Sequence, residues 1–185
     1  MVDGNLVATI TGHRAIQKDQ KTGLWISKLE YKDANGKLVT GNSEKLAERV
    51  TDLFSAYFRT HPELKGVNIG MANGVDLCAA KAAIITGKEI YAFIPYTGHG
   101  KNWRSIYGQY HADVLKAAHT VHYPPESEGD FAAMLLQRNK DMVDSSDYTL
   151  TLWDGSYGGT SHCVNYSKKK DKKVVNLWNS WVKYR

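Results

Sequence analysis

The sequence predicts an α/β fold in which a mainly parallel sheet is covered by helices on both faces. Three observations carry this reading. Short apolar, β-branched runs alternate with longer segments of helical periodicity, the order that right-handed βαβ crossovers produce. Most of these runs end at a glycine, a proline or an Asp-Gly pair. No long repeat, low-complexity tract or linker breaks the alternation. The chain has 185 residues, which corresponds to about one domain and allows a core that needs no staples. A single Rossmann-like domain over residues 1–185 is the expectation.

The elements follow in order. Leu6 to Ile10 is the first strand, ending at Thr11-Gly12. Trp25 to Tyr31 alternates, and Asn35-Gly36 turns the chain into Lys37 to Thr40. This predicts a small β-hairpin insertion over residues 24–40. Ser43 is placed to cap a helix carrying Leu46, Val50, Leu53, Phe54 and Tyr57 at helical spacing. Val67 to Ile69 is the second strand, and an alanine-rich helix runs from Val75 to Thr86. Glu89 to Ile94 is the third strand, cut by Pro95. A helix from Asn102 to Ala118 leads to the fourth strand, Thr120 to Tyr123, stopped by Pro124-Pro125. Phe131 to Val143 is helical and Tyr148 to Trp153 is the fifth strand. After Gly155 to Gly159 a last helix leads to a sixth strand, Val174 to Trp178.

Composition removes several function classes. Hydrophobic residues at 42% and charged residues at 23% describe a globular chain rather than a disordered one. Two cysteines, Cys78 and Cys163, exclude a disulfide scaffold and a four-thiolate zinc site. His119 and His122 flank a strand with no cysteine or carboxylate at zinc spacing, so no metal is expected. The start lacks the n- and h-regions of a signal peptide. No run of ~18 uncharged apolar residues offers a membrane span. A reducing cytoplasm is the expected setting. The net charge of +5 is concentrated in Lys168, Lys169, Lys170, Lys172, Lys173, Lys183 and Arg185. That run reads either as a solvated surface or as an attraction for phosphates.

The chemistry is expected beyond the carboxyl ends of the strands, where open α/β sheets bind ligands. Gly12-His13-Arg14 follows the first strand, Gly70-Met71-Ala72-Asn73-Gly74 with Asp76 the second, and Pro95 the third, in a loop running to Trp103. Asp154-Gly155-Ser156-Tyr157-Gly158-Gly159-Thr160 follows the fifth. Glycine turns that open a helix point backbone N–H groups at an anion. Thr160 is placed to donate a hydroxyl to the same phosphate. Neither turn is a G-x-x-x-x-G-K-[ST] loop or a G-x-G-x-x-G fingerprint, which disfavours ATP hydrolysis and nicotinamide chemistry and leaves no cofactor to expect.

Each polar candidate carries an alternative. Arg14 suits a phosphate or a base face, or a surface ion pair. Arg138, next to Asn139, reaches a ligand or ties its helix to Asp147. Asp76 caps a helix or serves as a carboxylate. Asp154 accepts ribose hydroxyls or simply forms an Asp-Gly turn. Trp103 stacks a base or joins the core. His13 is an acid, a base or a phosphate donor.

Thr11-Gly12-His13-Arg14, Gly70-Met71-Ala72-x-Gly74-Val75-Asp76, Arg138-Asn139-x-x-Met142-Val143-Asp144-x-Ser146-Asp147 and Trp153-Asp154-Gly155 with Gly158-Gly159-Thr160 together resemble the SLOG superfamily. Within it they look most like the YpsA-like branch. The resemblance spans residues 6 to about 178 outside the hairpin. It implies a Rossmann-like fold that binds nucleotides, nucleotide-derived signals or nucleic acid. Relatives include cytokinin-activating phosphoribohydrolases and the single-strand DNA-binding protein DprA. Those hydrolases carry a glutamate three residues beyond the threonine of their glycine turn; here that position is Cys163.

Three functions follow. The first is a protein that binds a nucleotide-derived small molecule, as a sensor or a sink. The second is an N-glycosidic hydrolase or transferase, which needs a carboxylate at the anomeric carbon; Asp76, Asp144, Asp147 and Asp154 are available, with Asp147 and Asp154 the catalytic candidates. The third is weak single-stranded nucleic-acid binding through the lysine run. A homo-oligomer is compatible with all three.

Overall fold

The computed structural model describes residues 4–123, 125 and 130–185. After β1 (Leu6–Gly12) come two short antiparallel hairpins, β2 (Gln17–Lys18) with β3 (Trp25–Ile26) and β4 (Tyr31–Lys32) with β5 (Leu38–Val39). Next are α1 (Glu44–Arg59), β6 (Leu64–Ile69), α2 (Val75–Thr86), β7 (Glu89–Phe93), α3 (Ile106–Ala117) and β8 (Thr120–His122). Then follow α4 (Phe131–Asp144), β9 (Tyr148–Leu152), α5 (Gly159–Lys169), β10 (Lys173–Asn176) and α6 (Trp178–Tyr184).

Six strands form one sheet in the order β10-β9-β1-β6-β7-β8, and every neighbouring pair is parallel. The chain steps outward from β1 through β6 and β7 to β8, then crosses back to lay β9 and β10 on the other side of β1. Right-handed crossovers therefore put α1, α2 and α3 together on one face and α4 and α5 on the other. This is the expected Rossmann-like architecture. The strand order switches at the carboxyl ends of β1 and β9, which fixes where a crevice can open.

The two faces of the central strands differ. Ala8, Ile10, Val67, Ile69, Leu150 and Leu152 form an apolar face that packs under α2 at β1 and β6 and under α6 at β9, driving the collapse of that layer. Thr9, Thr11, Asn68, Thr149 and Thr151 alternate with them and are buried on the opposite face. Thr9 and Asn68 are paired with the end of α4 and Thr149 with α5, while Thr151 Oγ1 has no partner among the described residues. Thr9 Oγ1 and Asn68 Nδ2 each donate to the Met142 carbonyl at 2.8 Å, and Thr149 Oγ1 lies 2.7 Å from Ser167 Oγ. Lys172 Nζ donates to the carbonyls of Val143 and Ser146. These bonds satisfy carbonyls at the end of α4 that no helical N–H reaches.

Several expectations need correction. The insertion is not one hairpin over 24–40; it is two, and it begins at Gln17. Two aspartates break the alternation. Asp19 Oδ1 accepts from the amides of Lys21 and Thr22, and Asp33 Oδ1 from those of Asn35 and Lys37, each closing a turn. Leu29, Tyr31 and Val39 from this excursion are buried in the core. Ser43 stands at the N-cap of α1, but its hydroxyl makes no capping bond. The helix expected from residue 102 starts at Ile106, after Ser105 accepts from the Tyr107 amide. The sixth strand stops at Asn176, and Trp178 opens α6, whose Trp181 is fully buried against Tyr31. Pro124, expected to end the fourth strand, lies outside the described residues.

Candidate functional site

The turn after β9 is built on Asp154. Its Oδ1 accepts from the Ser156 amide at 2.9 Å and the Ser156 hydroxyl at 2.5 Å, and Lys28 Nζ from the excursion lies 3.3 Å from Oδ2. Burial works to raise the Asp154 carboxyl, but the Ser156 bonds, His13 and Lys28 outweigh it and hold it at about 2. The Asp154 amide donates to His13 Nε2 at 3.0 Å. Burial lowers the His13 pKa despite the carboxylate beside it, and Nε2 also lies 3.0 Å from Asp154 Oδ1, so His13 braces the turn. Asp154 Oδ1 is thereby committed to the turn, and Oδ2 faces Lys28.

Beyond Asp154 the backbone is open. Gly155 and Gly158 have φ of 91° and 154°, a region that glycine tolerates and other residues rarely enter. A Cβ at Gly155, Gly158 or Gly159 would meet nothing within 4 Å. Gly159 is the first residue of α5, so this open face lies over a helix N-terminus and its positive end. The Gly158 amide is spent on Ser161 Oγ at 2.9 Å; the amides of Gly159 and Thr160 make no hydrogen bond among the described residues. Thr160 Oγ1 donates to the Gly12 carbonyl at 2.9 Å. Its proton ties α5 to β1 and is not available to a phosphate, contrary to expectation.

The glycines after β1 and β6 serve another purpose. A Cβ at Gly12 would come within 2.5 Å of Val75 Cγ1, and one at Gly74 within 2.5 Å of the Ala15 nitrogen and 2.6 Å of the His13 carbonyl. These two turns are packed backbone on backbone, and the Val75 amide donates to the His13 carbonyl at 3.1 Å. A Cβ at Gly70 would meet Arg138 Cζ at 2.9 Å and Asp76 Oδ2 at 3.0 Å. Close approach here is to the protein itself. Between them Met71 is fully buried with φ of 65°, and the Ala72 amide donates to Asp76 Oδ2 at 3.2 Å.

Arg138 is buried and donates from Nη1 to the Gly70 carbonyl and from Nε to Asn139 Oδ1 at 3.2 Å. It does not tie its helix to Asp147. Asp147 sits at the amino end of β9, where its Oδ2 accepts from the Val7 amide at 2.8 Å. Asp144, at the end of α4, accepts from the Tyr166 hydroxyl. Both carboxylates lie at the edge of the sheet away from the glycine turns, and so does the Lys168–Lys173 run at the end of α5. Asp147 therefore leaves the catalytic list on geometry.

Arg14, by contrast, is exposed at the carboxyl edge and makes no ion pair or hydrogen bond among the described residues. The expected alternative of a surface ion pair is not formed. Pro95 is buried at the start of the loop after β7, and Trp103 is half-buried within it. Sequence reasoning passed over Lys28, His99 and His111. His99 lies in the loop after β7, so the strand-end test that found Pro95 and Trp103 reaches it; Lys28 arrives only through the folding back of the excursion.

Burial raises Asp76 from 3.8 to about 6, against the opposing pull of Arg138, the Ala72 amide and Arg14. The folded state thus holds this proton more tightly than the unfolded chain. Its contribution to stability is complete below about pH 4 and is lost as pH rises through about 6. Asp76→Asn is expected to flatten stability over that window, as measured by denaturant midpoints at pH 4 and pH 7. An unchanged slope contradicts the assignment.

No family model matches the chain. It is 42% identical over 45 residues to an uncharacterized SPbeta prophage-derived protein, YoqJ, of Bacillus subtilis (strain 168). The match covers 24% of this chain and only about a quarter of that relative, 26%. Among solved structures, DprA from Streptococcus pneumoniae aligns with a TM-score of 0.49 at 17% identity, over 72% of this chain and 46% of that one. The structural genomics target TM1055 aligns with a TM-score of 0.53 at 10% identity, covering 92% of this chain and 72% of the other. The likeness to TM1055 is one of fold.

Proposed function

We propose that the chain binds a phosphate-bearing nucleotide or nucleotide-derived small molecule at the carboxyl edge, as a sensor or a sequestering protein. One observation carries this reading. The open turn at Gly155, Gly158 and Gly159 over the N-terminus of α5 stands at the switch in strand order, on the same edge as the unpaired Arg14. Backbone N–H groups at a helix N-terminus and a guanidinium on the same edge suit an anion. The SLOG resemblance of the same residues supports a nucleotide as the anion's carrier. Binding without turnover is favoured because Asp154 is locked in its turn and Cys163, where the hydrolases carry glutamate, is a buried thiol that burial pushes up to about 12.

Native mass spectrometry of protein purified from cells tests for a retained nucleotide, and calorimetry against adenine nucleotides, ADP-ribose and cyclic nucleotides tests affinity. Arg14→Ala is expected to weaken binding by about 1.5–3 kcal/mol, an order of magnitude or more in affinity. An unchanged affinity removes Arg14 from the site.

One observation favours a second reading as an N-glycosidic hydrolase. Asp76, raised to about 6, exchanges its proton close to neutrality beside Arg138, the range in which a general acid or base works. Turnover of a bound nucleotide that disappears in Asp76→Asn, with binding kept, selects this reading.

Nucleic-acid binding is proposed only as a weak, separate property. Lys172 is committed to the carbonyls of Val143 and Ser146, leaving Lys168, Lys169, Lys170 and Lys173 exposed. Affinity for single strands is expected to fall with salt by ~0.7 in log–log slope per phosphate neutralised. Binding that survives high salt contradicts a purely electrostatic contact.

A further inference from the structure

The segment between β7 and α3 places two imidazoles that the binding site as described leaves unused. His99 and His111 stand 5.7 Å apart between ring centroids. Trp103 meets both edge-on, at 5.1 Å and 5.4 Å, and Tyr96 meets His99 at 5.3 Å. His111 is 6% exposed. His99 Nδ1 and His111 Nε2 are both buried and have no hydrogen-bond partner among the described residues. Native proteins rarely leave such atoms orphaned, and an orphan marks a place where something is missing.

The closure of this loop is built in. A Cβ at Gly100 would fall 2.4 Å from His111 Cδ2, so only glycine lets the loop lie on that ring. Gly98 and Gly100 both have positive φ, 82° and 78°, a conformation that glycine adopts without strain.

Charge narrows the occupant. His99 is held down to about 3 by burial first and then by Arg138, His111 and Arg14; burial alone lowers His111. Both rings are therefore neutral, each with one donor and one acceptor nitrogen. A metal ion would have to sit in the field of Arg14 and Arg138, which opposes it. An anion has those arginines to bind and gains little from a neutral imidazole. What matches two donor-acceptor rings among aromatic neighbours is a flat, uncharged heteroaromatic group. β7 and β9 are three strand spacings apart in the sheet, about 14 Å, so a ligand that touches both loops is longer than a phosphate.

We propose that the Tyr96–Arg104 loop, with His111 beneath it, is the base-reading wall of the carboxyl-edge site. His99 Nδ1 and His111 Nε2 bond the edge of a nucleobase whose phosphate lies at the N-terminus of α5. The loop lifts to admit the base, and the base supplies the partners that the two nitrogens lack. This rests on the nucleotide-binding reading above and goes further by assigning the residues that read the base.

Calorimetry separates the two. The probes are the four nucleoside 5′-monophosphates and ADP-ribose, with ribose 5-phosphate as the base-free probe. At least one base-bearing probe is expected to bind about tenfold or more tighter than ribose 5-phosphate. His99→Phe and His111→Phe are each expected to erase that preference while leaving ribose 5-phosphate affinity unchanged. If His111→Phe, within α3, fails to fold, His99→Phe in the loop decides alone. A preference that survives in the folded variants overturns the inference. So does wild-type protein that binds ribose 5-phosphate as tightly as any nucleotide, although the phosphate site then stands. Binding of no probe at all overturns both.

Discussion

Gly159→Asp is expected to abolish nucleotide binding in a protein that remains folded. The added side chain has room, because a Cβ at Gly159 meets nothing within 4 Å. It also suits the helix. An acidic residue in the first turn of α5 interacts favourably with the helix dipole, by about 0.3–1 kcal/mol, so the melting temperature should hold or rise slightly. The same carboxylate occupies the space that the free amides of Gly159 and Thr160 face, and it repels the anion those groups would hold. Stability and binding thus move in opposite directions, which separates a ligand effect from a folding effect. Calorimetry and thermal circular dichroism on one preparation read both. Retained affinity in folded Gly159→Asp contradicts the site.

Gly74→Ala should have the largest effect on stability. Gly74 has φ of 99°, a backbone conformation that costs a residue with a Cβ about 1–3 kcal/mol. Its Cβ would also lie 2.5 Å from the Ala15 nitrogen and 2.6 Å from the His13 carbonyl. Both are backbone atoms in a turn pinned to α2 by the Val75 amide, so neither can move aside cheaply, and overpacking adds about 1–3 kcal/mol. The sum of about 2–6 kcal/mol lowers the melting temperature by about 5–20 °C for a chain of this size. Gly155→Ala is the control, since φ is 91° there but no atom lies within 4 Å, and it should cost only the backbone part. Equal losses in the two variants contradict the packing explanation.

These two glycines show how far the sequence was legible. The alternation of apolar runs and helical segments identified the parallel sheet, because both periodicities are local. It also brought Gly12, Gly70, Pro95 and Gly155 to one edge, since each follows its strand directly. The role of each glycine was not legible. Gly74 and Gly159 look alike in sequence, yet one is packed against the backbone of another turn and the other faces open space. That difference depends on how close β1 and β6 bring their turns, which no local pattern encodes.

The same limit explains the other departures. Asp147 and Asp154 are both acidic residues bordering the fifth strand, but one precedes it and the other follows it. A parallel sheet sends those positions to opposite edges. Thr160 has the chemistry of a phosphate donor, and only the approach of α5 to β1 reveals that its proton is taken by the Gly12 carbonyl. The excursion read as one hairpin because alternation over Trp25 to Tyr31 masked the turn-closing carboxylates of Asp19 and Asp33. α6 went unseen because its seven residues are too few for a periodicity; what anchors it is Trp181 buried against Tyr31.

The carboxyl edge at β1 and β9 is proposed to hold the phosphate of a nucleotide. Backbone amide NMR during titration with AMP and with ADP-ribose tests this most directly, because the two edges of the sheet carry distinct reporters. The amides of Gly155 to Ser161 and of Arg14 and Ala15 are expected to shift together and saturably, while those of Lys168 to Lys173 stay in place. Shifts confined to Lys168 to Lys173, with the glycine turn unmoved by a nucleotide that binds, would contradict that proposal.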